Sequence, residues 1–323
     1  MDSTQLIGLV ATAVLLIVLS LFLVPTSVGG LESRPNPLQH YDDAVKRFEA
    51  QAEIEQTKCF PLGRSLLLAH GQRTPLAFVL IHGLTNSPHQ FEEFGQLLWS
   101  RGHNVLVPRM PFHGHNSARL REIWPLRAED LRDYADETVD LAAGLGEEII
   151  VVGVSGGGTV AAWIGQNRPE VSQVVSIAPF LGAPGKARPV GNLLMNACCR
   201  LPSIDLTNPK EPPRTWVYRG QSTRPLAQTV RLGKAMYEQA AAYPPAAGRI
   251  IVLTAAGDNQ VDNVATQRLV KLWRQGGGNV IAYEFSREAA LPHNPIDPTA
   301  DPAKRQLAYQ TILELLGLPI EMA

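Results

Sequence analysis

"EEIIVVGVSGGGTVAAW", residues 147–163, decides how the rest of the chain is read. From Ile149 to Val154 every residue except Gly153 is apolar, with no helical spacing, the pattern of a strand buried on both faces. Thr159 to Gln166 then reads as a helix. The corner between them holds Gly153-Val154-Ser155-Gly156-Gly157, a G-x-S-x-G set between strand and helix. So tight a turn forces its central residue into strained backbone angles and leaves no room for neighbouring side chains. Glycines two before and two after the serine relieve that collision. The hydroxyl is then held out at the end of the strand, near a helix N-terminus that favours developing negative charge. The competing readings are a glycine-rich turn with an incidental serine, and a phosphate loop. Against the second, the first core strand–helix turn lacks G-x-G-x-x-G and no P-loop lysine follows.

Working outward, strands and helices alternate. Strands are expected at 76–83, 103–110, 148–155, 171–180, 249–257 and 279–286, and helices at 87–102, 128–146, 159–167, 263–277 and 302–316. Ser87 and Pro88 start the first of these helices and Gly102 stops it. This rhythm implies a parallel sheet with helices on both faces, with "RSLLLAH" (64–70) adding an early antiparallel strand. Residues 181–245 break the rhythm. They carry nine prolines and one expected helix, Pro225–Ala242. A stretch so long between two core strands is no plain connection. It reads as a cap inserted over the carboxyl edge of the sheet, where open α/β sheets hold ligands.

The serine elbow, the strand order and "IHGLTNSP" after the first long strand together resemble the α/β-hydrolase superfamily, over nearly all of residues 60–320. The resemblance implies a central sheet with an inserted cap and a Ser–acid–His triad in that chain order. It places the acid in the loop "AAGDNQVDN", whose form is similar to the family's G-(x)-D-x-x-V turn, giving Asp258 the acid role. Asp262 is the rival, although its place before "NVATQRLV" also suits a helix N-cap. The histidine should follow the last strand, and His293 is the only histidine after residue 115. His82-Gly83-Leu84 resembles the family's H-G-x turn, so the amides of Leu84 and Gly156 would form the oxyanion hole, with His82 bracing the loop. "PFHGHN" resembles the family's G-H-G-like loop. His113 and His115 could suggest a metal pair, but no carboxylate or cysteine cluster accompanies them, and no metal or other cofactor is expected.

Leu6 to Val24 contains no charge. As a helix it spans roughly 28 Å, about a bilayer core. The leader "MDSTQ" lacks the basic residues of a signal peptide and "TSVGGLESRPNP" offers a poor cleavage site, so the expectation is a single-pass N-terminal anchor in a membrane. A cleaved signal peptide and a buried helix are the alternatives, and Arg34 alone does not orient the segment. The organisation expected is therefore 1–24 anchor or signal, 25–56 linker and short helix, 57–180 first part of the core, 181–245 cap, and 246–323 second part of the core. A net charge of −1 argues against nucleic acid as a partner. Cys59, Cys198 and Cys199 have no metal or redox spacing and read as small buried apolar residues, though Cys59 could bridge either of the other two in an oxidising space.

The function expected is hydrolysis of carboxylic esters, a small-molecule acyl ester being the substrate. Apolar residues of the cap segment, Val230 and Tyr237 among them, point to a lipid-like or medium-chain acyl group. Thioesterases, acyltransferases and haloperoxidase-like enzymes share the fold, as would a membrane-tethered binding module without catalysis.

Overall fold

The computed structural model describes residues 2–117, 119–184, 188–207 and 216–320. Residues 185–187 and 208–215 of the expected cap, and 321–323 of the last segment, lie outside them. The chain opens with helices α1 (Ser3–Leu23) and α2 (Tyr41–Lys58). There follow β1 (Leu66–Leu68), β2 (Thr74–Ile81), α3 (Glu92–Ser100), β3 (Asn104–Val107), α4 (Ala128–Leu145), β4 (Gly146–Val154), α5 (Gly156–Asn167) and β5 (Val171–Ile177). A middle stretch holds α6 (Arg188–Cys198), the two-residue strands β6 (Asp205–Leu206) and β7 (Gln221–Ser222), and α7 (Thr223–Ala242). β8 (Arg249–Ala255), α8 (Asn263–Gln275), β9 (Val280–Phe285) and α9 (Pro302–Leu316) follow.

Seven strands form one sheet in the order β1-β3-β2-β4-β5-β8-β9. All neighbours run parallel except β1, which is antiparallel to β3. The apolar run of β4 explains its central place. Ile149 and Val151 face one packed layer, while Ile150, Val152 and Val154 face the other, and all five are buried. β2 divides in the same way, with Ala77, Val79 and Ile81 on the first side and Phe78 and Leu80 on the second. Strands buried on both faces must be apolar at every position, which is why no alternation is visible in the sequence. Helices α4, α5, α7 and α8 cover one face, and α3 and α9 the other.

Two stretches differ from the expected organisation. The middle stretch contains a second helix, α6, and its main helix is only partly a cover. Leu232, Ala235, Met236 and Ala240 of α7 are buried in the core layer beside α5. α7, within the expected cap of residues 181–245, thus turns its apolar stripe to the sheet layer.

The residues read as a linker are docked on the domain. Leu31 is fully buried, and its carbonyl accepts the Trp163 indole N–H at 3.2 Å. The Ser33 hydroxyl and the Arg34 amide donate to Asp136 at 2.5 and 2.7 Å, and the Asn36 amide donates to Asp140 at 2.9 Å. Those two carboxylates also hold Arg168, a fully buried guanidinium, at 3.0 and 2.5 Å. One ionic cluster thus ties α4, the end of α5 and the N-terminal segment together.

α1 has no buried residue, which overturns the buried-helix alternative. Its length and apolar character suffice to cross a membrane, a property that a signal sequence shares. The three thiols are free, Cys59 buried and Cys198 and Cys199 half-buried.

Arg168→Ala should leave Asp136 and Asp140 as uncompensated carboxylates and lower the unfolding free energy by about 3–5 kcal/mol. Denaturant titration of the wild type and the variant measures this. A loss under about 1 kcal/mol would show that the cluster does not brace the fold.

Candidate active site

Ser155 stands where β4 ends and α5 begins, with φ 57° and ψ −119°. A non-glycine residue pays on the order of 1–3 kcal/mol for such angles and keeps them only if its surroundings enforce them. Here the Ser155 N–H donates to Ile177 O at 2.8 Å, and its carbonyl accepts from the amides of Thr159 at 3.0 Å and Phe180 at 3.2 Å. The glycines are required by close approach. A Cβ at Gly153 would stand 2.2 Å from Gly157 O, and one at Gly157 would stand 2.2 Å from Ile81 O.

The Ser155 hydroxyl does not cap α5. Its Oγ lies 2.9 Å from His293 Nε2, and His293 Nδ1 lies 2.7 Å from Asp258 Oδ2. With the Asp258 carboxylate accepting the Nδ1 proton, Nε2 is left to accept from the serine O–H. Burial pushes the Asp258 carboxyl up, but the hydrogen bond and charge of His293 and the Gln260 amide outweigh it. The net shift is below the ordinary carboxylate value. Asp262 sits elsewhere. Its Oδ1 accepts from the amides of Val264 and Ala265 at 3.1 and 3.2 Å, capping α8. Of the two acidic candidates, the structure brings Asp258 to the histidine.

Leu84 and Gly156 also meet beside the serine. A Cβ on Gly156 would lie 3.2 Å from Leu84 N, and both residues line the same small cavity as Ser155 and His293. Gly156 is the first residue of α5, where the N–H has no helical acceptor.

The loop carrying Leu84 is braced from below by groups that sequence reasoning treated lightly. Gln90 Oε1 accepts the Gly83 amide at 2.8 Å. His82 lies 2.8 Å from Gly83 O through Nδ1, and its Nε2 accepts the Met110 amide at 3.1 Å. Burial, and then His113, hold the His82 ring well below its ordinary pKa. His113 Nε2 lies 2.6 Å from Leu84 O, and its Nδ1 lies 2.9 Å from Pro111 O. Burial lowers His113 to about 4, against the pull of those two carbonyls. A neutral ring has one proton for two carbonyls, and the shorter contact places it on Nε2, donating to Leu84. His113 is thus a strut for the loop, while the backbone of His115 pairs with that of Cys59 in an isolated antiparallel bridge.

The cavity at Ser155 measures only about 40 Å³. A second cavity of about 410 Å³ lies beside it, lined by Met195, Val230, Tyr237 and Ala265, with Pro25 and Thr26 on one side. Three segments wall both spaces. Phe180, Leu226 and Gln260 face the smaller one, and Leu181, Ala227 and Asp262 the larger. Val230 and Tyr237, picked out in the sequence, thus border the larger space and not the serine itself.

A doubly covered parallel sheet with a strained serine at the central strand–helix corner is the frame of the α/β hydrolases. The alpha/beta hydrolase family model matches residues 78–301, well over half of the chain. The chain belongs to that family, and its sheet has that fold. A thermostable monoacylglycerol lipase of Bacillus sp. (strain H-257) is 24% identical to it over 124 residues, covering 36% of this chain and 46% of that protein. The match therefore spans less than half of that relative's length. A structure from the metagenome-derived lipolytic enzymes LipS and LipT superposes with a TM-score of 0.59 at 16% identity, over 80% of this chain and 99% of that one. The monoacylglycerol lipase of Paleococcus ferrophilus gives a TM-score of 0.53 at 15% identity, over 78% and 97%. These superpositions speak to the fold.

The buried His113 makes stability depend on pH. The unfolded chain takes up its proton near 6.5, while the folded chain resists until about 4. Unfolding free energy should therefore fall as pH drops through that window, by on the order of 3 kcal/mol from this ring. His113→Gln should reduce the slope between those limits without abolishing it, since the buried His82 ring contributes in the same sense. An unchanged slope in denaturant titrations would show that His113 titrates as freely in the folded chain as in the unfolded one.

Proposed function

We propose that the chain is a serine hydrolase of carboxylic esters with lipid-like acyl groups, held at a membrane by α1. The observation that carries this reading is the continuous hydrogen-bonded relay Ser155–His293–Asp258. In it, His293 Nε2 takes the proton as Ser155 Oγ attacks the ester carbonyl, and Asp258 keeps the imidazole in the productive tautomer and stabilises the cation that forms. The amides of Leu84 and Gly156 receive the oxyanion at the N-terminus of α5. His293 then returns the proton to the leaving alcohol. Water, activated by the same nitrogen, releases the acid from the acyl-enzyme. Nothing in this cycle needs a cofactor.

The substrate class rests on the shape of the site. About 40 Å³ at the serine holds little more than the reacting ester group, so a longer acyl chain needs other space. The neighbouring cavity of about 410 Å³ falls in the size range of small-molecule sites and has a largely apolar wall. The monoacylglycerol lipase of Bacillus sp. (strain H-257), similar in sequence, supports the same class.

A fluorophosphonate probe should label the wild type, and Ser155→Ala should abolish labelling. Persistent labelling of the folded variant would move the nucleophile elsewhere. Asp258→Asn should lower kcat on the order of 10³–10⁴-fold and Asp262→Asn far less; the opposite ranking would transfer the acid role to Asp262.

The acyl cavity has its own test in a series of p-nitrophenyl esters. Val230→Trp should reduce kcat/KM for long chains relative to short ones by tenfold or more, since each methylene lost from an apolar pocket is worth about 1–3 kcal/mol. A uniform fall across chain lengths would remove the cavity from substrate recognition.

A further inference from the structure

The N-terminal helix ends against α6, which grips its last turn. Asn196 Nδ2 donates to Phe22 O at 3.0 Å, and its Oδ1 accepts the Thr26 amide at 3.4 Å. Arg200 donates to Leu21 O at 3.1 Å and to Pro25 O at 3.2 Å. From α7, Lys234 donates to Thr26 O and Arg231 to Ser27 O. Side chains of the middle stretch thus satisfy carbonyls that a helix end leaves without partners, and their positive charge suits the helix C-terminus. The way α1 leaves the domain is fixed by α6, Arg200 just after it and α7 together.

The same stretch turns apolar side chains outward. Val190, Leu193, Leu194, Leu201, Ile204 and Leu206 are all exposed, Val190 at 59% and Ile204 at 65%. By contrast, Leu226 and Met236 of the neighbouring helix are buried. Single exposed apolar residues are ordinary, but six within residues 190–206, next to a helix that is apolar all round, form a patch that calls for a cover. Residues 188–204 contain no Asp or Glu, and the one acidic residue of the stretch, Asp205, is turned to protein donors, the Trp124 indole N–H at 2.8 Å and the Ser222 hydroxyl at 2.6 Å.

We propose that α6 and the chain after it, as far as Leu206, lie in the surface of the bilayer that α1 crosses. The 410 Å³ cavity beside Pro25 and Thr26 then faces lipid, and esters enter it sideways from the membrane. The proposal rests on the reading of α1 as an anchor. The bilayer is the occupant because the end of α1 is held beside α6, so a membrane containing α1 has its surface at that patch. A protein partner or a second copy would have to cover the patch in the same place.

The test uses the full chain in phosphatidylcholine vesicles. Cys198 and Cys199 are changed to Ser, and Leu194→Cys carries an environment-sensitive NBD fluorophore. Ser100→Cys, at the end of α3 on the opposite layer, carries the same fluorophore as a reference. The probe at 194 should be blue-shifted and quenched by bromine-labelled lipid at least twofold more than the probe at 100. Equal, weak quenching at both sites in protein that resists carbonate extraction overturns the proposal. A blue shift without lipid quenching also overturns it, by placing protein on the patch. Release by carbonate fails the anchor reading first and takes the proposal with it.

A kinetic arm checks the consequence for entry. Leu193→Asp combined with Leu194→Asp should lower kcat/KM at least tenfold for a long-chain ester dissolved in the vesicles. Hydrolysis of p-nitrophenyl acetate in water should stay within twofold of wild type. Equal loss on both esters, or no loss on either, counts against lateral entry. A wild-type chain that cleaves neither ester fails the catalytic reading, while the lipid-quenching measurement still decides where α6 lies.

Discussion

The constraint on which the site depends is the close approach of the β4–α5 corner to the end of β2. Gly157 has no room for a Cβ because Ile81 O and His82 O stand 2.2 and 2.4 Å from where it would be. That contact presses the first turn of α5 against the chain leaving β2, and so brings Gly156 beside Leu84. It also sets the backbone of Ser155 into its left-handed φ, because the chain must reverse from strand to helix within one residue. The serine, the two amides and the positive end of α5 are therefore consequences of one packing event. A larger residue at 153 or 157 would act on all of them together.

Around that corner the supporting groups are buried and neutral, or buried and paired. His82, Gln90 and His113 hold the loop of Leu84 by hydrogen bonds to its backbone. Because burial disfavours the charged form of both histidines, they brace this loop as neutral rings. Arg168 is equally buried but faces two carboxylates on α4, far along α5 from the serine. The two ends of α5 are thus fixed by different means, the first by backbone contact and the last by charge.

What was legible in the sequence follows from how local the causes are. The strand of β4 and the glycine spacing are local, and both read correctly. The distinction between Asp258 and Asp262 was half legible, because a carboxylate just before a helical stripe is a cap whatever else it could do, and Asp262 is one. The docking of residues 28–36 was not legible. A stretch rich in Pro, Gly and Ser looks like a linker, and what holds it is Leu31 against Trp163 and two carboxylates about a hundred residues away. His113 likewise revealed nothing of its role, since Leu84 O reaches it only in the folded chain. α6 was missed because prolines and short polar residues around it hide an apolar row that has no core to face.

The same reasoning explains why the serine has a small space and a large cavity beside it. Reacting atoms need donors fixed within a few tenths of an ångström, and a narrow pocket lined by Gly83, Leu84 and Phe180 supplies that rigidity. Here the partition falls on Phe180–Leu181, Leu226–Ala227 and Gln260–Asp262, where neighbouring residues of one backbone face opposite spaces. Leu226 lies on α7, whose later turns are locked into the core layer, so that wall is rigid on the protein side. The opposite wall is Pro25 and Thr26, held by the side chains of Asn196 on α6, Arg200 just after it and Lys234 on α7. The cavity is therefore walled on one side by a helix packed into the core layer and on the other by the segment that follows α1.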